Sequence, residues 1–280
     1  MGASDGRMGQ PSQAAHAMPT SRITPSTKPG RQAIVFLHGI GGAARGWAPQ
    51  VEAFDNAGFQ TVPLDLPGYG VRPAVESMTF EDVAADVEAV IDRGQLQRPI
   101  LVGHSMGGMI AQTLLRRRPD GYRAAVLIGT SPAFGNPEGD FQKQFVAARL
   151  KPLESGKTMP ELAGEIVDGM MGPSPDPKGR ALAIDLMSAT PAPTYRAAVL
   201  CLVSFDERAN LPSIRCPVLC LVGEHDRNAP PQMMERMAAK IPGARYMCLR
   251  GIGHLPNLES PHAFNSAILD FLTSPSVAKA

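Results

Sequence analysis

The sequence predicts an α/β protein whose mostly parallel sheet carries helices on both faces and is interrupted by an inserted helical segment. Short apolar runs alternate with helical patterns, which is typical of a parallel sheet covered on both sides. The alternation stops between Ser131 and Pro212, where no strand pattern is visible. The chain has 280 residues, a length that fits one domain with an insertion better than two independent domains.

The first apolar run, Ala33–Leu37, predicts a strand that leads into a glycine-rich loop. Residues 46–58 follow, with Trp47, Val51 and Phe54 at helical spacing. The spacing predicts a helix over 46–58. Trp47 is also a candidate substrate-binding residue.

The next elements continue the alternation. Residues 61–65 predict a strand, although Pro63 weakens the pattern because proline cannot donate to a β-ladder. Residues 79–91 have apolar side chains on one side and acidic ones elsewhere, which predicts an amphipathic helix. Four further strands are predicted at 98–103, 123–129, 217–222 and 245–249.

The interruption of the pattern divides the chain into a core, residues 31–131 and 212–280, and a cap segment, residues 132–211. The cap segment is rich in Met, Pro, Gly and Ala and predicts several short helices. Ligands of open α/β sheets bind at the carboxyl edge of the strands. We expect the cap segment to roof that edge and exclude water; the alternative is an extra packing layer with no gating role.

The composition of the first thirty residues and the net charge of the chain limit which partners are expected. Residues 1–30 are rich in Gly, Pro, Ser, Thr and Ala, which predicts a disordered tail, and they lack the apolar core of a signal peptide. The formal net charge is +1, so we expect no nucleic-acid partner and no attraction to acidic membranes. No apolar run approaches the ~20 residues that span a bilayer. The oligomeric state is left open.

The cysteines indicate a compartment. Cys216 and Cys220 enter the same predicted strand, where about 3.3 Å per residue places them about 13 Å apart, beyond the reach of a disulfide. With Cys201 and Cys248 they are interpreted as buried thiols of a reducing cytoplasm.

The most informative motif is Gly103-His-Ser-Met-Gly107, which stands between a predicted strand and a predicted helix. This strand-turn-helix context is that of a nucleophile elbow, in which the serine hydroxyl is exposed at a strained corner. The two glycines leave room for the tight turn. Ser105 is therefore the candidate nucleophile.

A serine nucleophile needs a base and an acid. His254 lies in a glycine-rich loop after the last predicted strand, and Asp226 follows the strand at 217–222. All three residues then lie at one edge of the sheet, in the order Ser, Asp, His. Glu224, two residues before Asp226, is a rival for the acid, and a backbone-capping aspartate is the bland alternative for Asp226.

The tetrahedral intermediate needs two N–H donors. The N–H of Met106 follows the nucleophile, and the N–H of Ile40 lies in the loop His38–Gly42 after the first strand. In this elbow class the two donors come from these two places, so Ile40 and Met106 are the candidate oxyanion hole.

Taken together, these motifs resemble the α/β-hydrolase superfamily over residues 31–131 and 212–280. The stretches 103–112 and 253–259 are most similar to 3-oxoadipate enol-lactonases and related small serine carboxylesterases. The resemblance implies the α/β-hydrolase fold, a cofactor-free enzyme without a metal, and hydrolysis of a small ester or lactone through an acyl-serine.

Other activities stay open beside that expectation. The same triad serves acyl transfer and perhydrolysis, and carbon–carbon hydrolases share the fold, although those typically place Asn before the serine and Trp soon after the base, where this chain has His104 and Leu255. A non-catalytic ligand receptor on this fold is a third class. Arg72 stands where the family's Asp-x-x-Gly-x-Gly turn usually continues into serine. It is a candidate anchor for a substrate carboxylate, the alternative being a solvated surface arginine.

Overall fold

The computed structural model describes residues 30–134 and 139–280. Within them six strands form one sheet in the order β2-β1-β3-β4-β5-β6, with every neighbouring pair parallel. The strands are β1 Ala33–Leu37, β2 Gln60–Leu64, β3 Ile100–His104, β4 Ala125–Ile128, β5 Val218–Gly223 and β6 Arg245–Leu249. The predicted disorder of residues 1–30 falls, Gly30 aside, outside the described residues.

The helices of the described chain surround this sheet. They are α1 Ala48–Asn56, α2 Phe80–Arg93, α3 Met106–Arg117, α4 Asp140–Glu154, α5 Met159–Asp168, α6 Pro177–Ala189, α7 Ala192–Leu202, α8 Pro231–Ala238, α9 Pro256–Glu259, α10 Pro261–Leu272 and α11 Pro275–Ala278. Short 3₁₀ turns occupy Ala44–Trp47 and Leu211–Ser213. The helix expected over 46–58 therefore begins as a 3₁₀ turn, and Pro49 stands in the first turn of α1, where its missing N–H costs nothing.

Successive side chains of the strands enter two different cores. Val35 of β1 packs in a cluster with residues of α2, α3 and α8. Phe36, the next residue, packs in a second cluster with residues of α1 and α10. This alternation follows from the two-residue period of a strand. It confirms the predicted sheet with helices on both faces.

Pro63 lies in β2, an edge strand of this sheet, and is paired with Phe36 of β1. An edge strand has one neighbour only, so a residue without an N–H is tolerated there. The predicted strand at 61–65 is therefore present, shifted by one residue to Gln60–Leu64.

The described parts of the cap segment, residues 132–134 and 139–211, contain helices α4 to α7 and no strand. The two ends of the segment lie side by side: Phe134 N donates to Phe205 O at 3.0 Å, and Glu207 N donates to Pro132 O at 2.8 Å. Adjacent ends are what an insertion into a continuous sheet requires. The division into core and cap domains stays a prediction.

Three of the four cysteines are buried, but Cys248 is exposed on β6. The expectation of four buried thiols is therefore wrong for Cys248, because β6 is an edge strand with a half-exposed face. Among the described residues, no helix is both long and apolar enough to cross a membrane. The cytoplasmic location stays a prediction.

Candidate active site

Ser105 occupies the sharp corner between β3 and α3. Its backbone has φ +53° and ψ −117°, a conformation that costs a non-glycine residue about 1–3 kcal/mol and is typical of functional sites. A Cβ on Gly103 would lie 2.4 Å from Gly107 O, and a Cβ on Gly107 would lie 2.1 Å from Leu37 O. Only glycine fits at either position, so the corner holds the serine at the carboxyl edge of the sheet.

Three loops at that edge bring Ser105, His254 and Asp226 into one hydrogen-bonded line. The Oγ of Ser105 lies 3.1 Å from His254 Nε2, and His254 Nδ1 lies 2.7 Å from Asp226 Oδ2. The other carboxylate oxygen of Asp226 accepts hydrogen bonds from Asn228 N at 2.9 Å and Ala229 N at 2.8 Å. Asp226 was expected either to orient His254 or to cap backbone N–H groups, and in the structure it makes both kinds of contact.

Asp226 is buried beside this histidine. Burial alone would raise the pKa of the carboxyl, but the charge and hydrogen bond of His254, together with the Ala229 N–H, hold that pKa below its usual value. The rival Glu224 is exposed and accepts a hydrogen bond from Gly251 N at 2.8 Å. Glu224 therefore supports the backbone of the histidine loop rather than the imidazole.

The loop His38–Gly42 lies against the nucleophile, since a Cβ on Gly39 would approach Ser105 Cβ to 2.9 Å. The loop turns through a Gly42 N to Gly39 O hydrogen bond of 3.0 Å. Ile40 lines the cavity above Ser105. Met106 is the first residue of α3, so its N–H has no acceptor within the helix. Both candidate oxyanion donors thus flank Ser105.

His38 and Asp65 make hydrogen bonds that support this loop and the residues that follow it. His38 Nε2 accepts a hydrogen bond from Leu66 N at 3.2 Å while Nδ1 lies 2.8 Å from Gly39 O. Burial lowers the pKa of His38 to about 4. The carboxylate of Asp65 accepts hydrogen bonds from Ala44 N at 2.7 Å and, more weakly, Val71 N at 3.3 Å.

A cavity of about 260 Å³ opens above Ser105 and His254. Its walls come from the core and from helices α4, α6 and α7 of the cap segment, and most of them are apolar. Arg149 of α4 is a charged exception; its guanidinium lies 5.3 Å from the centre of the Phe145 ring. The apolar lining includes Ile40, Met109, Phe145, Met187, Tyr195 and Val199.

Arg72 does not reach this cavity. Its side chain is 4% exposed and makes a bidentate pair with Asp86, at 2.5 and 2.9 Å. It also donates to Asp65 O at 3.3 Å. The anchor role and the surface-arginine alternative both disagree with this placement, because α2 supplies a carboxylate partner that the sequence did not reveal.

Trp47 is also absent from the cavity lining. It is 2% exposed and packs on Phe36 and Phe264, with ring centroids 5.1 and 6.3 Å apart. It lines a neighbouring pocket of about 40 Å³, which shares Ile40, Met187 and Leu255 with the cavity above Ser105. Trp47 therefore lies in the core beside that cavity, and its contact with a substrate stays a prediction.

Comparison with known proteins decides the family. The model of the alpha/beta hydrolase family matches residues 34–267. The chain belongs to this family. The resemblance that the sequence motifs indicated is thereby confirmed, and the protein is a hydrolase.

Solved structures similar to this hydrolase include two enzymes with assigned chemistry. The enol-lactonase from Burkholderia xenovorans LB400 is 27% identical, covers 92% of this chain and 95% of its own, and has a TM-score of 0.79. A thermophilic esterase from Thermogutta terrifontis is 26% identical, with 89% and 96% coverage and a TM-score of 0.77. The Mycobacterium tuberculosis protein named "Putative non-heme bromoperoxidase BpoC" is 29% identical over 261 residues, 86% of this chain and 94% of that protein.

Two residues of this hydrolase make contacts with the histidine loop that were not predicted from the sequence. His104 Nε2 lies 2.6 Å from His254 O, and burial, followed by the neighbouring His254, lowers the pKa of His104 to about 3. Glu259 is buried and accepts hydrogen bonds from three backbone N–H groups. The stretch 253–259 that carries the family resemblance ends in Glu259, which was the one available signal.

Proposed function

We propose that this hydrolase cleaves a small carboxylic ester or a lactone through an acyl-serine intermediate. The observation that carries the proposal is the hydrogen-bonded line from Ser105 through His254 to Asp226, which opens into a cavity with mostly apolar walls. A hydroxyl, a base and an orienting acid in this geometry form the arrangement that activates a serine.

In the acylation step, His254 Nε2 takes the proton of the Ser105 hydroxyl as Oγ attacks the carbonyl carbon of the substrate. The carbonyl oxygen becomes an oxyanion, to which the N–H groups of Ile40 and Met106 donate. Asp226 fixes the tautomer of the imidazole and stabilises the imidazolium that forms. The pKa of Asp226 lies below its usual value, which keeps this carboxyl ionised for that role.

The tetrahedral intermediate then collapses, and the imidazolium gives its proton to the leaving alkoxide oxygen. With an open-chain ester the alcohol departs; with a lactone the hydroxyl stays attached to the acyl group. In deacylation His254 takes a proton from a water molecule, the resulting hydroxide adds to the acyl carbon, and the proton returns to Ser105 as the acid is released.

The cavity favours substrates with an apolar acyl or alkyl part. Its apolar lining and volume of about 260 Å³ suit a small ligand whose surface becomes largely buried. Methionines such as Met109 and Met187 adapt to irregular shapes. The similarity to an enol-lactonase and an esterase supports the same substrate class.

Perhydrolysis is a second candidate function, favoured by the similarity to the protein named as a bromoperoxidase. In that reaction hydrogen peroxide replaces water in deacylation, and its oxygen adds to the acyl carbon to release a peracid. The acylation step is unchanged, so both candidates require Ser105.

A fluorophosphonate probe followed by an ester and lactone panel tests the proposal. We expect the probe to label Ser105, as located by peptide mass spectrometry, and Ser105→Ala to lose both labelling and turnover, by about 10⁴- to 10⁶-fold. Ser131→Ala is the matched control, because Ser131 lines the same cavity but its hydroxyl bonds to Ala133 O. Absence of labelling in the wild type would contradict the proposal and favour a receptor. Parallel assays with hydrogen peroxide and an acid separate perhydrolysis from hydrolysis.

A further inference from the structure

The backbone around His254 is held by partners on every side. The N–H of His254 donates to Met170 O at 2.7 Å, and its carbonyl accepts from His104 Nε2 at 2.6 Å. The neighbouring N–H groups of Gly253 and Leu255 both donate to Glu259. Met170 belongs to the cap segment, so the cap supplies one of the bonds that hold the base.

Glu259 makes the second link between the cap segment and this loop. Its Oε2 accepts from Gly253 N at 2.9 Å and from Gly172 N at 2.7 Å, while Oε1 accepts from Leu255 N at 2.9 Å. The residue is 5% exposed. A buried carboxylate is costly unless hydrogen bonds replace its water, and here three backbone N–H groups do so.

Between the two backbones there is no room for a side chain. A Cβ on Gly172 would lie 2.6 Å from Gly251 O and 3.0 Å from Gly253 N, and a Cβ on Gly253 would lie 2.4 Å from Met170 O. Real Cβ atoms do not approach a backbone oxygen that closely, so a methyl group at Gly172 must push the turn 170–172 away from the histidine loop.

We propose that Glu259 is a positioning residue for His254, and that it acts by joining the turn 170–172 of the cap segment to the loop 250–255. The placement of the imidazole then depends on the docking of the cap. This inference rests on the proposed function, in which His254 is the base. It adds that the cap completes the catalytic apparatus as well as roofing the cavity.

Gly172→Ala separates the two backbones and crowds the Glu259 carboxylate, whose Oε2 would lie 3.1 Å from the added Cβ, while the triad residues stay unchanged. We expect kcat to fall about 10- to 100-fold with little change in KM, because a displacement of about 1 Å at a reacting group costs on that order. Gly164→Ala is the matched control: Gly164 lies in α5 of the same segment with nothing within 4 Å of an added Cβ. It is expected to keep wild-type kcat.

Glu259→Gln removes the acceptor that faces Leu255 N–H and replaces it with a donor. It is expected to lower kcat to a similar degree. Glu88→Gln is its control, since Glu88 is equally buried but pairs with Arg117 on α2 and α3, away from the site. Glu88→Gln is expected to lose stability while retaining kcat, with all variants assayed below their unfolding temperatures.

The proton on His254 Nδ1, hydrogen-bonded to Asp226, gives a readout by NMR that needs no turnover. We expect its downfield resonance to shift or broaden in Gly172→Ala and Glu259→Gln and to remain unchanged in both controls. Wild-type kcat in both variants, or a kcat loss with an unchanged resonance, would overturn the inference. If the wild type neither turns over esters nor reacts with the fluorophosphonate, the proposed function fails, and the resonance alone still decides whether the cap positions His254.

Discussion

The oxyanion loop and the histidine loop lie on the two sides of Ser105, and each is stabilised by a carboxylate that accepts backbone N–H groups. The N–H groups come from different parts of the chain. On the oxyanion side, the carboxylate of Asp65 accepts backbone N–H groups from residues 44 and 71. On the base side, Glu259 accepts N–H groups from the histidine loop and from Gly172 of the cap segment. The hydrogen bonds that Asp65 accepts therefore come from residues within 31–131, whereas one of those that Glu259 accepts comes from the cap segment.

On the base side, the largest effect is expected at Asp226. Asp226→Asn keeps the shape of the side chain but favours the wrong tautomer of His254, so kcat is expected to fall about 10⁴-fold. Glu224→Gln tests the rival acid. It is expected to lower kcat far less, because Glu224 contacts the backbone of the histidine loop at Gly251 rather than the imidazole. Steady-state kinetics on the best substrate of the panel measure both. If Glu224→Gln lost its activity while Asp226→Asn kept wild-type kcat, Glu224 would be the acid instead of Asp226.

A smaller effect is expected on the oxyanion side, from Arg72→Met. Removing the guanidinium leaves Asp86 unpaired in a largely buried place, which typically costs about 3 kcal/mol of the free energy of unfolding. Arg215→Met, in an exposed pair with Asp120, should cost at most about 1 kcal/mol. Chemical denaturation measures the difference.

The same Arg72→Met variant tests for a substrate anchor. Because the arginine does not line the cavity, the ratio of kcat/KM for an anionic lactone to that for its methyl ester is expected to match the wild type. A loss confined to the anionic substrate would restore the anchor role.

A pH dependence of stability is also expected, from the buried imidazoles of His38 and His104. Their folded-state pKa values, about 4 and about 3, lie below the usual 6.5. Between the folded-state and unfolded-state pKa values, the histidines are protonated in the unfolded chain but not in the folded protein. The free energy of unfolding is therefore highest above pH ~6.5 and falls as the pH drops. The loss is up to about 1.4 kcal/mol per pH unit for each histidine.

His104→Gln isolates one of these two contributions. Glutamine keeps a donor toward His254 O but does not titrate. The free energy of unfolding, measured by denaturation at several pH values between 4 and 7, should therefore change less with pH than in the wild type. His225→Gln, at an exposed histidine, serves as the control. Equal slopes in the wild type and His104→Gln would refute the assignment.

The same contrast explains what the sequence could and could not predict. The elbow at 103–107 consists of consecutive residues, and its flanking strand and helix follow from local patterns. Ser105 and these two elements could therefore be predicted. The support of the base is not local, since Glu259 and Gly172 are 87 residues apart. Arg72 was misjudged for a related reason: its partner Asp86 stands on α2, and no pattern tells which face of a helix will meet a given loop.

The close contact at Gly172 also limits how relatives of this enzyme can be recombined. A cap taken from another family member changes the cavity walls on α4, α6 and α7, and hence the substrates that fit. If the turn at 170–172 of the transferred cap carries a side chain, or its N–H does not face Glu259, the histidine loop is displaced. We then expect a chimera that folds and has the new substrate preference but a low kcat. Chimeras should therefore exchange the turn 170–172 and the stretch 250–259 together.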